Sequence, residues 1–276
     1  MMSIACQREA VLSQPATQGE VVSTTIQVSL PADMATKAIG DGSLITQLVF
    51  AALASDGQLL FFTTQDMSNG AATLQTNLIK GKEYILHFMG TTNPCLYAAV
   101  WGDYISVNAP SSVINDEYFD VFTANVEYTG GDVPPQVTLQ RAVAQLNVGI
   151  TAEDYQWAQA NGVDMSSLKV KLQFNAPKML WLMTGEAENW VEYANSVGKP
   201  ALYDPFVVDE KNYYRLAYSY VLAASNCTSL ENVTVTLSGK RNSDDFELQK
   251  QVSNVPVAPN KQTNIIGDII KPGLEP

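Results

Sequence analysis

Residues 137–150 read VTLQRAVAQLNVGI, a long run in which β-branched and aliphatic residues predominate. Such side chains fit the pleated surface of a strand and lose freedom in a helix. Directly after this run, Thr151 can cap the amide of Asp154, and the acidic pair Glu153 and Asp154 suits the positive end of a helix. Gly162 then ends the pattern. The sequence therefore predicts a long strand followed by the one convincing helix of the chain.

Strand-like segments lie on both sides of this run. Val21–Leu30 alternates at Ile26, Val28 and Leu30 and is typical of a strand with one wet face. Asp56-Gly57 separates two apolar runs, which indicates a hairpin because both residues tolerate positive φ. Strands recur at the spacing expected of sandwiches. We expect an all-β protein with one short helix, built from two β-sandwich domains in tandem.

A Gly-Gly-Asp-Val-Pro-Pro stretch at residues 130–135 is the best candidate for a domain boundary. It predicts an N-terminal β-sandwich domain over residues 21–135 and a C-terminal β-sandwich domain over residues 136–276. Residues 7–20 are polar, and residues 1–20 are predicted to be a lipoprotein-type tail outside both domains.

Composition excludes several classes of protein. The chain has 276 residues, with 16 Lys and Arg against 28 Asp and Glu and a formal net charge of −12. A phosphate-binding surface needs clustered Lys and Arg, so nucleic acid is not an expected partner. Hydrophobic residues make up 46% of the chain, enough apolar surface to argue against intrinsic disorder. No run approaches the ~18–20 apolar residues that span a bilayer.

Little in the sequence indicates an enzyme. His87 is the only histidine, so a Ser-His-Asp or Cys-His enzyme would have to use it. It lies in an alternating strand pattern without a motif around it, and we expect a half-exposed strand residue. No phosphate loop, dinucleotide fingerprint or zinc-protease motif is present. We predict a protein that is not an enzyme and that needs no cofactor or metal.

The three cysteines are Cys6, Cys95 and Cys227. The last two are interpreted as buried thiols that act as small hydrophobes. The alternative is a disulfide between Cys95 and Cys227. Cys6 follows Ser3-Ile4-Ala5 and resembles the end of a bacterial lipoprotein signal. A lipid on Cys6 would anchor the chain to a membrane, with residues 7–20 as a tether. The alternative is an incidental cysteine in the tail.

Three tryptophans lie close together in the second half of the chain: Trp157, Trp181 and Trp190. Exposed aromatic rings can serve as flat platforms for sugar rings, whereas buried rings fill a core. Core packing is the favoured interpretation, above all for Trp181 inside its apolar run. A glycan platform remains the alternative.

Four segments, in order along the chain, carry a family resemblance: residues 35–42, ATKAIGDG; 139–148, LQRAVAQLNV; 177–185, PKMLWLMTG; and 257–267, VAPNKQTNIIG. They resemble the start of the mature chain, the strand that opens the second domain, a Pro…Thr-Gly turn and a signature near the C-terminus. All four features belong to the fimbrillin-like surface proteins of Bacteroidales, which build type V pili.

The resemblance implies two transthyretin-like β-sandwich domains, a lipoprotein precursor and a place in a pilus at the outer membrane. Subunits of this family join when one donates a strand to its neighbour, after a protease has removed the neighbour's first strand. The removable strand would here be Val21–Leu30, and the cut would lie in the loop at residues 34–39. Lys37 stands where the family usually has Arg. Expected partners are other pilus subunits and a host or bacterial surface ligand.

After the last of these segments only residues 268–276 follow, and they include Pro272 and Pro276. Proline cannot donate to a strand ladder, so this tail is too short and too broken to be a donor. The leading hypothesis is therefore a tip or base-anchor component of a surface pilus. The alternative is a surface glycan-binding lipoprotein of the same bacteria.

Overall fold

The computed structural model describes residues 19–31, 42–92, 98–101, 104–108, 117–197 and 206–274. Strands dominate these residues, which confirms the all-β class. No helix among them is long and apolar enough to cross a membrane. Cys6, Lys37 and Cys95 lie outside the described residues. Cys227 is a buried free thiol.

Contacts divide the chain into two compact units. Unit 1 comprises the described residues within Met1–Ala109, Glu117–Val143 and Met179–Glu188. Unit 2 comprises those within Ala144–Lys178 and Asn189–Pro276.

Among the described residues, ten strands lie between positions 21 and 141: β1 (Val21–Ser29), β2 (Gln47–Ala54), β3 (Leu59–Asp66), β4 (Ala71–Ile79), β5 (Glu83–Thr91), β6 (Ala98–Trp101), β7 (Tyr104–Asn108), β8 (Val121–Thr129), β9 (Gln136–Thr138) and β10 (Gln140–Arg141). A 3-10 turn at Glu117–Phe119 precedes β8.

Unit 1 is a sandwich of two sheets. A three-stranded sheet has the order β4-β1-β9, and a five-stranded sheet has the order β10-β8-β5-β2-β3. Side chains from both sheets form one apolar cluster, in which Phe50 and Phe88 pack with ring centroids 5.2 Å apart. The predicted hairpin around Asp56-Gly57 joins β2 to β3, and Gly57 has the positive φ that the turn requires.

The remaining elements are β11 (Val143–Thr151), α1 (Ala152–Ala160), β12 (Val163–Trp181), β13 (Ala187–Val197), β14 (Phe206–Val208), β15 (Lys211–Leu222), β16 (Ser229–Arg241), β17 (Asp244–Pro256), β18 (Gln262–Gly267) and α2 (Ile270–Leu274). The helix predicted after residue 150 is α1, and the Thr151 hydroxyl accepts a hydrogen bond from the Asp154 amide at 3.1 Å. The short helix α2 was not expected from the sequence.

Unit 2 is also built from sheets. One has the order β14-β15-β11-β18, with β11 and β18 parallel from Gln145↔Gln262 to Ile150↔Gly267. The other joins β17, β16 and the first part of β12 as antiparallel neighbours. The residues of β12 from Met179 onward belong to unit 1, where they pair with β7.

The division differs from the predicted boundary after residue 135. Residues 136–143 stay in unit 1, because β9 pairs with β1 and β10 pairs with β8. The Gly-Gly-Asp-Val-Pro-Pro stretch is therefore a connection within unit 1. Residues 179–188 also return to unit 1, which no composition change along the sequence indicates.

A buried ion pair holds β10 in unit 1, next to the start of β8. Arg141 Nε lies 2.7 Å from Asp120 Oδ1, and Arg141 Nη2 lies 2.8 Å from Asp120 Oδ2. Both side chains are almost fully buried, and the guanidinium lies over the Phe122 ring. Two parallel hydrogen bonds of this kind give geometric specificity as well as energy.

We expect Arg141→Leu to lower the free energy of unfolding by about 3–5 kcal/mol, because the buried Asp120 carboxylate would lose its two hydrogen bonds to the guanidinium. The double variant Asp120→Leu/Arg141→Leu should recover much of this loss, since neither charge then remains buried. Chemical denaturation measures both values. As a control, Lys80→Ala breaks an exposed pair with Glu20 and should cost less than about 1 kcal/mol. Equal losses in Arg141→Leu and Lys80→Ala would contradict the prediction.

Candidate assembly site in unit 1

The strand nearest the N-terminus among the described residues, β1, lies in the middle of a sheet. β1 pairs with β4 antiparallel over its whole length, from Val21↔Ile79 to Ser29↔Ala71. On its other side it pairs with β9 in parallel from Gln27↔Gln136 to Ser29↔Thr138. Without β1, the backbone groups of β4 and β9 that face it would have no strand partner.

The side chains of β1 alternate between the core and the solvent. Thr24, Ile26 and Val28 are buried, and Ile26 and Val28 belong to the apolar cluster of unit 1. Fully burying one aliphatic side chain of this size stabilises a fold by about 1.5–3 kcal/mol. Val21 is 64% exposed, and Leu30 is partly buried against the cluster. The middle of β1 therefore contributes the most to the core.

Backbone hydrogen bonds hold both ends of β1. The Lys80 amide donates to the Glu20 carbonyl at 2.8 Å, and the Leu30 amide donates to the Gly70 carbonyl at 2.8 Å. The Leu139 amide donates to the Ser29 carbonyl, also at 2.8 Å. A salt bridge between Lys80 and Glu20 is exposed, so it adds little. β1 is thus held by its ladders and its apolar row.

His87 occupies a different environment from the one expected. It is buried at 1% exposure, so the predicted half-exposed position is wrong. Its Nδ1 is hydrogen-bonded to the Asn125 side-chain carbonyl, and the Asn125 amide donates to the Leu182 carbonyl. Residues 179–188, which carry Leu182, return to unit 1, so a contact distant in sequence buries this face.

The second ring nitrogen of His87, Nε2, is buried and has no hydrogen-bond partner among the residues that the structure describes. Burial lowers the pKa of His87 below its usual value, and the hydrogen bond to Asn125 opposes this only in part. Since Asn125 donates to Leu182 through its amide nitrogen, its oxygen faces His87 and the ring proton sits on Nδ1. Protonation of Nε2 would place a charge and an unsatisfied donor in the core.

The pH dependence of stability follows from this shift. Because the folded pKa lies below the unfolded value, the unfolded chain binds more protons as the pH falls below about 6.5. Wild type should therefore lose free energy of unfolding below that pH, by at most about 1.4 kcal/mol per pH unit from this group. His87→Gln keeps a partner for Asn125 and does not titrate. Denaturation from pH 7 to pH 5 should show a steeper decline for wild type; parallel curves would refute the role of His87.

The three tryptophans are divided between the two units. Trp157 lies in α1 with the Arg241 guanidinium 5.4 Å from its ring centre, and it is half-buried. Trp190 in β13 is 49% exposed and also belongs to unit 2. Trp181, at the end of β12, is half-buried and belongs to unit 1. None of the ring contacts between described residues joins two of these tryptophans.

A nearby aromatic residue fills the core of unit 2. Tyr193 is buried, stacks on Phe174 at 5.2 Å, and donates a hydrogen bond to the Pro177 carbonyl at 3.1 Å. Burial raises the pKa of its hydroxyl. Core packing therefore accounts for Tyr193, while Trp190 is the most exposed of Trp157, Trp181 and Trp190.

The segment after β18 is fixed to unit 2 by one carboxylate. Asp154 is fully buried, and its two oxygens accept hydrogen bonds from the amides of Ile269, Ile270 and Lys271 at 2.8, 2.9 and 2.6 Å. Arg241 donates to the Leu274 carbonyl at 2.8 Å. These bonds hold residues 269–274 against α1, so this segment is an integral part of unit 2.

The family of the chain is settled by sequence comparison. A family model matches residues 16–272. The chain belongs to DUF6562, a family of unknown function. Comparison with curated protein sequences gives no match. The match covers both units of this DUF6562 chain, including β1 and the segment held by Asp154.

Solved structures share the fold of this DUF6562 chain. A protein of Bacteroides thetaiotaomicron, provisionally described as polysaccharide binding, gives a TM-score of 0.52 over 88% of this chain and 90% of its own. A protein of Bacteroides eggerthii, provisionally described as a cell adhesion protein, gives 0.52 over 92% and 89%. Both are 12% identical to this chain. The resemblance predicted from four short segments is thus confirmed for the fold.

Sequence reasoning missed three features of this DUF6562 chain. Thr24 extends the buried row of β1, although its hydroxyl argues against burial. Asp154 was expected only at the start of a helix, and nothing in the sequence indicates that it binds residues 269–271. Arg141 carried a signal: it is the one charge in the apolar run of residues 137–150. Among the described residues, no group of three or more His, Cys, Asp or Glu could hold a metal ion.

Proposed function

We propose that this protein is a non-enzymatic component of a bacterial surface pilus, at its tip or its base. Its first sandwich would accept a strand from a neighbouring subunit after β1 has been removed. The observation that carries the proposal is the position of β1, which comes first among the described strands yet is central in its sheet. A strand at that position can leave without any other part of unit 1 being cut.

The site left by β1 suits strand addition. β4 would offer nine residues of open edge, and β9 would offer three. The positions of Thr24, Ile26 and Val28 would form an apolar groove lined by Leu74, Leu78 and other members of the core cluster. An added strand gains affinity from main-chain hydrogen bonds and specificity from alternate side-chain pockets. The donor needs about nine residues with small or aliphatic side chains at every second position.

Processing would take place between β1 and β2. We propose Lys37 as the cleavage site, since it lies between the end of β1 at Ser29 and the start of β2 at Gln47. A lipid on Cys6 would hold the uncut precursor at the outer membrane, with residues 7–20 as its tether. Once the cut is made, the lipid, the tether and β1 form one fragment, so cleavage would release the rest of the chain unless the neighbour holds it.

The C-terminal segment favours the role of acceptor. Donation of β18 and the following residues would break three hydrogen bonds to the buried Asp154, and that carboxylate would keep its charge in the core. Related folds described as cell adhesion proteins, such as that of Bacteroides eggerthii, are consistent with a cell-surface role. Partners would be pilus subunits with a free donor strand, together with a surface ligand at the tip.

The acceptor site can be tested with peptides. Deletion of residues 1–31 should leave unit 1 prone to aggregation, because the groove and two strand edges are open. A peptide of residues 21–30 should restore a soluble monomer and raise the melting temperature. The same peptide with Ile26→Asp should fail, while Thr25→Asp, on the exposed row, should still work.

Light scattering and thermal unfolding measure both effects. A deleted chain that stays monomeric with the melting temperature of wild type would show that β1 is not a structural strand, and the mechanism would be wrong. Equal rescue by the Ile26→Asp and Thr25→Asp peptides would show that the groove does not select the donor.

A second candidate function is glycan binding at the cell surface. Trp190 is 49% exposed, and a related fold from Bacteroides thetaiotaomicron is provisionally described as polysaccharide binding. A flat exposed ring can stack on a sugar ring. The platform would then depend on Trp190 rather than on all three tryptophans.

Glycan arrays with the full chain separate the two functions. If Trp190 is the platform, Trp190→Ala should abolish binding to any glycan that wild type retains, while Trp157→Ala, whose ring is covered by Arg241, should not. Binding by wild type that survives Trp190→Ala would exclude this residue as the platform.

A further inference from the structure

The longest edge strand among the described residues belongs to unit 2. β17 has 13 residues and pairs with β16 on one side only. Its ladder runs from Arg241↔Asp244 to Asn232↔Ser253 without a shift in register. No proline interrupts residues 244–255. A long, regular, open edge of this kind is a template for pairing with another chain.

The side chains of β17 form two rows. Opposite residues of paired strands share a face, so the register with β16 assigns each residue to a row. Phe246, Leu248, Lys250 and Val252 stand opposite Gly239, Leu237, Val235 and Val233. The last three of these are fully buried. The row that contains Lys250 therefore continues the core face of the sheet.

Between Phe246 and Val252, Lys250 is the one charge in that row. Its neighbours Leu248 and Val252 are partly buried, whereas Lys250 is exposed. Val235, opposite Lys250, pairs on its other side with the buried Leu172. Among the described residues, Lys250 forms no salt bridge. A lysine whose side chain starts on the core face reaches solvent only by extending past the open edge.

We propose that Lys250 blocks the open edge of β17 against pairing with a second copy of the chain. A twofold axis beside Gln249 would place Lys250 opposite Leu248 of the second copy. An axis beside Leu248 would place it opposite Phe246 of the second copy, and an axis beside Lys250 would bring two ammonium groups together. Each central register either buries the ammonium group among apolar side chains or sets like charges face to face.

The other row of β17 offers no such obstacle. Asp245, Glu247, Gln249, Gln251 and Ser253 are all exposed on the outer face of the sheet. With the axis beside Gln249, the acidic residues stand opposite Ser253 and Gln251 of the second copy, so no like charges meet. The rest of the strand is therefore compatible with antiparallel self-pairing, and Lys250 is the residue that decides against it.

Size-exclusion chromatography with light scattering on the full chain tests this assignment. Wild type should keep the molar mass of a monomer over a hundredfold range of concentration. Lys250→Val, and the polar but uncharged Lys250→Thr, should double the molar mass at the upper end. Amide hydrogen exchange should slow along β17 in these variants and not along β3, which is an edge strand of the five-stranded sheet in unit 1.

Three controls make the result specific. Lys250→Glu keeps a charge in the row and should stay monomeric, and Gln251→Val adds the same apolar group on the outer row and should stay monomeric too. Lys250→Val/Val252→Lys returns a lysine to the core-face row and should restore the monomer. Far-UV circular dichroism identifies any variant that fails to fold, and Lys250→Thr is the milder substitution.

Several outcomes would overturn the proposal. Folded Lys250→Val and Lys250→Thr chains that remain monomeric at all concentrations would show that the charge is not the obstacle. A wild-type dimer with slow exchange along β17 would show that the edge is already in use. Dimerisation of Gln251→Val to the same extent would show a general effect of surface hydrophobicity.

Discussion

The position of β1 is the constraint on which unit 1 depends. A strand from the start of the described chain lies between β4 and β9, and it supplies buried side chains to a core that is otherwise built from residues 45–139. The backbone groups of both neighbours are satisfied only while this strand is present. Within the described residues, the strand that completes the sandwich is thus also the one nearest the N-terminus.

Much of this fold could be predicted from local sequence. The alternation in Val21–Leu30, the Asp56-Gly57 turn and the cap at Thr151 each depend on residues close together in the chain, and each is found where the pattern placed it. The all-β class and the two sandwich units follow from such local patterns. β-Branched residues and turn residues determine the structure of only a few neighbouring positions, so one sequence is enough to recognise their patterns.

Other features depend on contacts between distant residues, and local patterns do not contain them. His87 is buried because residues 179–188 return to unit 1, and the unit boundary shifts because β9 and β10 find partners among earlier strands. Asp154 looked like an ordinary first-turn carboxylate, yet its partners lie more than a hundred residues away. For the assembly site, the sequence indicated which strand to examine but not that it lies in the middle of its sheet.

The bonds made by Asp154 also bear on how unit 2 is formed. The edge of β11 that faces β18 is paired only once β18 has formed. The buried Asp154 carboxylate likewise gains its hydrogen bonds only once residues 269–271 are in place. Closing loops of this length costs chain entropy before any contact compensates for it, which slows folding. Unit 2 therefore completes its fold only after almost all of the described chain has been synthesised. Until that moment, the edge of β11 that β18 later occupies stays open, and the Asp154 carboxylate stays without the three amides that bind it.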